Sequence, residues 1–374
     1  MKLFRLCVSQ LQVGHELPWN VYNEQGHLLL HKGYTLKDHE QLTSLVERGM
    51  YVDQDDFDRH IEAQQRDVRR KAPDQLWGWV HTRMSALLND PLSSTNWQAD
   101  VQEVASDVQH AAEVSREPHL FESLFKDNPD DYAVSHAIQT AYIVNLMSDR
   151  MGWNPAARLT LTHAALSMNL SMTSLQKQLS TQLTAPTSQQ REAIHDHGAR
   201  SRDMLAQLGV TDQDWLTAVA QHHVTPHGGP LSTAKAGAGD LACALHYADV
   251  YLAKISARST RAAMPANQAA RTLFLQADGQ HNPYVSALIK ELGIYPPGTC
   301  VRLANGESGI VVQRGEAAHL PKVCALVDAK GSPFPYPLAR DTSQVSFKVV
   351  DAMPRGSLRR RLPSSAALHR AVNA

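Results

Sequence analysis

Hydrophobic and polar positions divide the chain into an N-terminal region, a long helical region and a C-terminal region of strands. In residues 1–55 short apolar runs alternate with turn signals, and WNVYNEQGHLLLHKGYTL predicts two strands around an Asn-Glu-Gln-Gly turn. A short amphipathic helix follows, and we expect it to end at Gly49, before a final strand. This pattern is typical of a small α+β module.

Helical spacing dominates the middle of the chain. Residues 56–116 are charged and helical and show no dense apolar face, so we expect a helical linker that connects domains or forms a dimer. Residues 117–295 carry apolar positions at helical spacing almost throughout, which predicts a bundle of six or seven helices. One such stripe consists of Val134, Ile138, Tyr142 and Leu146.

The period changes to that of a strand near residue 296. GTCVRLANGESGIVVQR predicts two strands joined at Asn305-Gly306, and KVCALVD and QVSFKVVD predict two more, so residues 296–352 form a β appendage. Residues 353–374 are basic and contain Pro and Ser, which indicates a flexible tail. The predicted fold class is mainly α: a helical bundle with a small N-terminal α+β module and a small C-terminal β appendage.

Composition narrows the class of protein. The chain has 374 residues, a length that predicts more than one domain. Its net charge is −1, so it has no strong electrostatic field that would attract nucleic acid or a membrane. The four cysteines show no C-x-x-C spacing, which argues against a zinc ribbon or a disulfide framework. No apolar run reaches the roughly 20 residues of a membrane helix, and the first residues do not read as a signal peptide. We therefore expect a cytoplasmic bacterial-type protein without membrane insertion.

Histidine is unusually frequent, with 19 copies. Five helical segments of the bundle offer metal ligands or acid–base groups. They are His136; His163; His195 with His197; His222 with His223; and His246 with Asp249. Metal centres in helical bundles take one or two ligands from each helix, and imidazole suits zinc, iron, manganese or nickel. The same residues also permit a structural interpretation. In it, the histidines pack in the core, interact with the dipole at a helix C-terminus, or pair with a neighbour on the same helix.

Three segments of the bundle follow one another along the chain: IHDHGARS, QHHVTPHGGP and HYADVYLAKISARSTR. Their order resembles the order of motifs in the HD-GYP family, the cyclic-di-GMP phosphodiesterase branch of the HD phosphohydrolases. The resemblance spans residues 120–300 and implies an HD-type bundle that holds iron or manganese. The metal ligands that it implies are His136, His197, His222, His223 and Asp249. The residues that it implies for substrate binding are Arg258, Arg261, Gly228, Gly229 and Pro230.

One segment departs from the family pattern. AALSMNLSM stands where the family has Ala-Ala-Leu-Leu-His-Asp-Ile-Gly-Lys, which puts Met168 at the His, Asn169 at the Asp and Met172 at the Lys. A shifted register uses His163 as the His but then places Ala164 at the Asp. In the family this Asp bridges two cations, and neither Asn nor Ala carries the negative charge for that role. The resemblance therefore implies a degenerate site in which the metal is of reduced occupancy or absent.

The sequence supports three hypotheses about function. In the first, the chain is a signalling protein that binds cyclic di-GMP without hydrolysing it, or a scaffold for partners such as diguanylate cyclase domains. It would act as a homodimer, and none of its residues would have a catalytic role. In the second, it is a metal-dependent phosphodiesterase that hydrolyses cyclic di-GMP, with His163 or a water in place of the missing ligand. In the third, it is a purely structural bundle whose histidines pack or pair.

Overall fold

The computed structural model describes residues 2–6, 10–11, 13–125, 131–223, 236–257, 262–277, 282–354, 357–358 and 362–374. Contacts divide the chain into two compact units, Met1–Ala72 and Pro73–Ala374. The predicted fold class is confirmed, because the chain is mainly helical with a four-stranded sheet near its N-terminus and a five-stranded antiparallel sheet near its C-terminus. None of the described helices combines the length and the apolar character that crossing a bilayer requires.

The first unit contains strands and a helix in the region 1–55 and also a second helix, Gln54–Arg70, most of which the sequence placed in the expected linker 56–116. Its strands are β1 Leu3–Arg5, β2 Val21–Tyr22, β3 Leu28–Leu30 and β4 Tyr51–Asp53, in the antiparallel order β1-β4-β2-β3. Its helices are α1 His39–Arg48 and α2 Gln54–Arg70. The Asp38 side chain accepts a hydrogen bond from the backbone N–H of Gln41 and begins α1. Gly49 ends α1 as predicted, with φ of 80°.

The second unit begins with a bundle around one almost entirely buried helix, Tyr132–Arg150. Its helices are α3 Pro73–Asn89, α4 Trp97–Val114, α5 Arg116–Phe125, α6 Tyr132–Arg150, α7 Pro155–Ser167, α8 Thr173–Thr181, α9 Ser188–Gln207, α10 Gln213–Gln221, α11 Ala238–Ile255, α12 Ala266–Gln276 and α13 Pro283–Leu292. Every residue of α6 from Tyr132 to Ser148 is buried, and α3, α4, α7, α11 and α13 pack around it. A 3₁₀ turn, Leu170–Met172, connects α7 to α8.

Two helices of the expected linker belong to the core of this bundle. In α3, Leu76, Val80 and Met84 are completely buried at four-residue spacing, and in α4 Val101 and Val104 are also completely buried. The expectation that residues 56–116 lack a dense apolar face is therefore wrong for α3 and α4. Polar residues between the apolar positions of α3, and charged ones between those of α4, conceal the stripe in the sequence. It holds for α2, which has no buried residue.

The C-terminal sheet contains one strand more than the sequence analysis predicted. Its strands are β5 Cys300–Leu303, β6 Ser308–Gln313, β7 Lys322–Val327, β8 Pro333–Asp341 and β9 Val349–Met353, in the antiparallel order β8-β7-β6-β5-β9. The predicted turn at Asn305-Gly306 joins β5 to β6, and Gly306 has φ of 87°. The additional strand, β8, contains three prolines, which the sheet tolerates because β8 lies at its edge.

The end of the chain differs from the expected flexible tail. Helix α14, Ser365–Asn373, begins at Ser364, whose side chain accepts a hydrogen bond from the N–H of Ala367. Leu368 is completely buried in a small core with Phe121 and Cys324, so α14 packs against the β appendage.

Candidate metal centre

Three histidines from two neighbouring helices meet at one end of the bundle. His197 lies on α9, and His222 and His223 directly follow α10; their ligand atoms all lie within 4.8 Å of one another. The two helices approach closely at Gly198, where a Cβ atom would lie only 3.1 Å from the carbonyl oxygens of Val219 and Ala220. Because Gly198 has no side chain, α9 and α10 can lie close enough together for His197 to reach the end of α10.

Hydrogen bonds fix which ring nitrogen carries the proton in the two buried histidines. The Nδ1 atom of His197 lies 2.6 Å from the carbonyl oxygen of Ile194, and that of His222 lies 2.6 Å from the carbonyl oxygen of Val219. A carbonyl oxygen only accepts hydrogen bonds, so both Nδ1 atoms must donate. In the neutral rings each Nε2 atom consequently holds a lone pair. This arrangement of backbone-anchored Nδ1 and available Nε2 is usual for histidines that bind metals.

The two lone pairs point towards the same place. The Nε2 atoms of His197 and His222 are 3.0 Å apart, a distance at which two acceptors repel unless a proton or a cation lies between them. Burial lowers the pKa of His197, and burial together with the neighbouring His223 lowers the pKa of His222 to about 3. A proton is therefore disfavoured at this position near neutral pH, whereas a metal ion would satisfy both nitrogens.

A carboxylate lies beside the histidine group. Asp249 on α11 is 8% exposed, and its Oδ2 atom is 3.8 Å from Nε2 of the half-exposed His223. Its Oδ1 atom is 2.7 Å from Nε2 of His136 on α6. Burial alone would raise the pKa of Asp249, but the hydrogen bond from His136 and the neighbouring histidines outweigh it and hold the pKa below its usual range. The ionised carboxylate only accepts, so Nε2 of His136 donates to it, and the predicted ligand His136 here anchors Asp249.

The remaining candidate histidines lie outside this group. The side chain of His195 is 88% exposed and pairs with Asp196. Nδ1 of His246 donates to the carbonyl oxygen of His222 at 2.7 Å and so supports the turn after α10. The ring of His163 stacks on Trp215 in the core, with 4.7 Å between the centroids, and it is not among the residues that line the cavity described next. The shifted register that used His163 therefore places no histidine at the site.

A cavity of about 290 Å³ opens beside the histidines. Its walls include His136, His197, His223 and Asp249, together with Asn169, Met172 and Lys254. Two of the three residues that depart from the family pattern therefore face the same space as the candidate ligands. The third, Met168, is completely buried in the main hydrophobic core.

Two serines position the wall that carries Asn169 and Met172. The 3₁₀ turn between α7 and α8 lies against α9, where the Ser171 hydroxyl donates to the carbonyl oxygen of His197 at 3.0 Å. The backbone N–H of Ser171 donates to the Ser201 hydroxyl oxygen at 3.1 Å, and the Ser201 hydroxyl donates to that of Ser171 at 3.0 Å. The turn and His197 are thus fixed to one another.

The donor set fits one divalent cation. Three imidazole nitrogens with a carboxylate nearby are ligands that zinc, iron, manganese or nickel accept. Asp249 is the only acidic residue among the described residues that line the cavity, so these residues supply no second carboxylate to bridge a pair of cations. Five predicted substrate-binding residues lie outside the described residues: Gly228, Gly229, Pro230, Arg258 and Arg261.

Two residues that shape the site were not predicted from the sequence: Gly198 and Lys254. Gly198 stands next to a candidate ligand in a helix interior, where glycine is unfavourable, and this was a usable signal. Lys254 follows Asp249 by five residues on α11, but its position on the cavity wall depends on the packing of that helix.

The fold is similar to that of Bd1817, a HDG"Y"P protein from Bdellovibrio bacteriovorus. The match has a TM-score of 0.47 and 16% sequence identity, and it covers 77% of this chain and 99% of that chain. No protein-family model and no curated protein matches the chain.

Proposed function

We propose that the chain is a signalling protein of the HD-GYP type that holds one divalent metal, binds cyclic di-GMP beside it and does not hydrolyse it. The observation that carries this proposal is the cavity in which His197, His223 and Asp249 face Asn169 and Met172. The cavity retains ligands for a cation, whereas Asn169 and Met172 are uncharged where the family pattern has Asp and Lys.

Charge supports the binding of a phosphodiester. The three imidazoles are neutral, and among the described residues that line the cavity Asp249 is the one carboxylate, so a divalent cation held there would keep a net positive charge. Lys254 adds a second positive charge to the cavity wall. A bound metal would itself polarise a phosphate oxygen and lower the pKa of a bound water. The residues of the chain would orient the nucleotide through Lys254 and hold the cation through the backbone-anchored histidines.

The residues opposite the histidines support binding without turnover. Hydrolysis with two cations needs a carboxylate to bridge them, and the uncharged amide of Asn169 does not supply it. Met172 offers a thioether, which neither donates a proton to a leaving oxygen nor stabilises its negative charge. The described walls of the cavity therefore contain no second carboxylate that could replace the missing Asp.

Calorimetry with cyclic di-GMP on the metal-loaded chain tests the proposal, and chromatography shows whether the nucleotide stays intact. We expect binding without hydrolysis. His223→Gln, at a half-exposed position that should fold normally, is expected to weaken binding, whereas His195→Gln, at an exposed position away from the site, should not. No binding at high micromolar nucleotide would refute the nucleotide receptor.

Two other outcomes would establish the alternatives. Hydrolysis that His223→Gln abolishes and His195→Gln does not would show a phosphodiesterase with a modified metal site. A chain that loads metal, binds no nucleotide and captures a purified diguanylate cyclase domain would be a scaffold.

A further inference from the structure

A second cavity lies where the helical bundle meets the C-terminal sheet. It has a volume of about 580 Å³, twice that of the cavity beside the histidines, and none of its described lining residues belongs to that cavity. Its walls include the C-terminal ends of α6 and α13, the first turn of α5 and the loop that connects β6 to β7. The volume lies within the range of about 300–1,000 Å³ that is usual for small-molecule sites.

Basic side chains outnumber acidic ones on the described walls of this cavity. The basic residues are Arg150, Lys290, Arg314 and Lys322, and the acidic residues are Glu117 and Glu316. The buried carboxylate of Glu291 forms ion pairs with Arg150 and Arg314, so four positive charges stand against three negative ones. Arg116 also contacts Glu291, but Asp149 neutralises it. One positive charge is therefore left in excess, which favours an anionic ligand.

Arg150 supplies a guanidinium group that a buried carboxylate fixes in advance. Its Nε atom donates to Oε1 of Glu291, whose side chain is only 1% exposed. Nη1 and Nη2 of Arg150 have no hydrogen-bond partner among the described residues, and the side chain is 42% exposed. The two terminal nitrogens are thus available to a ligand, and a guanidinium binds two oxygens of one phosphate group through such a pair. Because Glu291 already orders the side chain, little rotational freedom is lost on binding.

Arg314 holds the wall of the cavity in place. Its Nε atom donates to Oε1 of Glu117 at 2.6 Å, and its Nη1 atom donates to Oε2 of Glu291 at 2.7 Å. Its backbone N–H donates to Oε2 of Glu117 at 2.9 Å, and the N–H of Ile294 donates to the carbonyl oxygen of Ala318 at 2.8 Å. These bonds fasten the loop between β6 and β7 to α5 and to the end of α13, so the cavity is formed before a ligand enters.

Two lysines determine how much negative charge the ligand must carry. Lys290 in the last turn of α13 and Lys322 at the start of β7 are exposed, and neither has an ion pair or a side-chain hydrogen bond with the described residues. The exposed Glu316 opposes them on the connecting loop, so a ligand with a single negative charge gains little. A diphosphate group spreads several negative charges over many oxygens and can contact Arg150 and the lysines together.

From these observations we infer that the cavity between α6, α13 and the β6–β7 loop is an anion-binding site, which takes a small molecule with a diphosphate group independently of the metal centre. Arg150 binds two oxygens of one phosphate, and Lys290 and Lys322 neutralise the remaining charge.

Calorimetry of the full chain with inorganic diphosphate tests this inference. We expect saturable binding of one diphosphate that a metal chelator leaves unchanged, which separates this site from the metal centre. Inorganic phosphate carries less charge and should bind at least about tenfold more weakly. Arg150→Gln should weaken diphosphate binding at least about tenfold, because it removes a charged hydrogen-bonding group.

Exposed residues around the cavity provide matched variants. Lys322→Gln should weaken diphosphate binding about threefold and Glu316→Gln should strengthen it about threefold. Lys330→Gln, at an exposed lysine in the turn after β7 that is not among the lining residues, should leave it unchanged. If Arg150→Gln melts at a lower temperature than the parent, the double variant Lys290→Gln/Lys322→Gln decides, since both side chains are exposed.

Three results would overturn the inference. They are the absence of saturable binding up to millimolar diphosphate, equal binding by the double variant and the parent chain, and binding that the chelator abolishes. The first two would show that the cavity holds only water, and the third would assign the diphosphate to the metal centre.

Discussion

Replacing His163 by phenylalanine tests whether this histidine is a core residue or a metal ligand. The side chain is 8% exposed, its ring stacks on Trp215, and its Nε2 atom has no hydrogen-bond partner among the described residues. Burial lowers the pKa of His163 from 6.5 to about 4. Phenylalanine retains a flat ring for the contact with Trp215 and removes the group that takes up a proton.

The size of the effect follows from the two pKa values. The unfolded chain protonates this imidazole near pH 6.5 and the folded chain only near pH 4. Between these values the unfolded state binds more protons, so the free energy of unfolding falls as the pH is lowered. Each pH unit in this window costs up to about 1.4 kcal/mol, and the whole window about 3 kcal/mol. The stabilisation is complete above the window, and no further loss occurs below it.

Urea unfolding at pH 7.5 and pH 4.5, followed by circular dichroism, measures this difference. We expect the parent chain to lose about 2.5 kcal/mol more than His163→Phe between the two pH values, because pH 4.5 lies just above the pKa of the folded state. His195→Gln removes an imidazole that is 88% exposed and should behave like the parent. An identical loss in His163→Phe and the parent would refute the core assignment, as would a lower metal content in His163→Phe.

Three further substitutions test the packing and the site. Arg314→Ala should lower the free energy of unfolding by about 2 kcal/mol in urea, because it removes one charged hydrogen-bond partner of Glu291, whose side chain is 1% exposed and which keeps Arg150. A loss no larger than that of Arg314→Lys would contradict this. Gly315→Ala should lower the melting temperature, because its Cβ would collide with the carbonyl oxygen of Leu320, and an unchanged temperature would argue against this close contact. Asn169→Asp adds a carboxylate to the metal cavity and should raise the metal content above one ion per chain in elemental analysis; an unchanged ratio would contradict the charge argument.

Local signals were sufficient for much of the fold. The apolar stripe of α6 and the Asn305-Gly306 turn depend on residues close together in the chain, and the structure contains both. Strand β8 was missed because three prolines argue against a strand, and only its place at the sheet edge makes them acceptable. The apolar face of α3 was missed because polar residues such as His81, Thr82 and Arg83 lie between its apolar positions, and tertiary packing decides which side is buried.

The candidate site could be predicted only in part. The order of the histidines along the helices indicated that His197, His222 and His223 belong together, and their ligand atoms are within reach of one another. The sequence could not show that His136 donates to Asp249, because this contact joins residues 113 positions apart and depends on how α6 packs on α11.

Elemental analysis of the natively purified chain tests the central claim most directly, since the facing Nε2 atoms of His197 and His222 call for a cation. The account predicts about one divalent metal ion per chain, retained by His195→Gln and lost when His197 and His222 are both replaced by glutamine. A parent chain purified without any metal, and taking up none when zinc, iron or manganese is added, would contradict it.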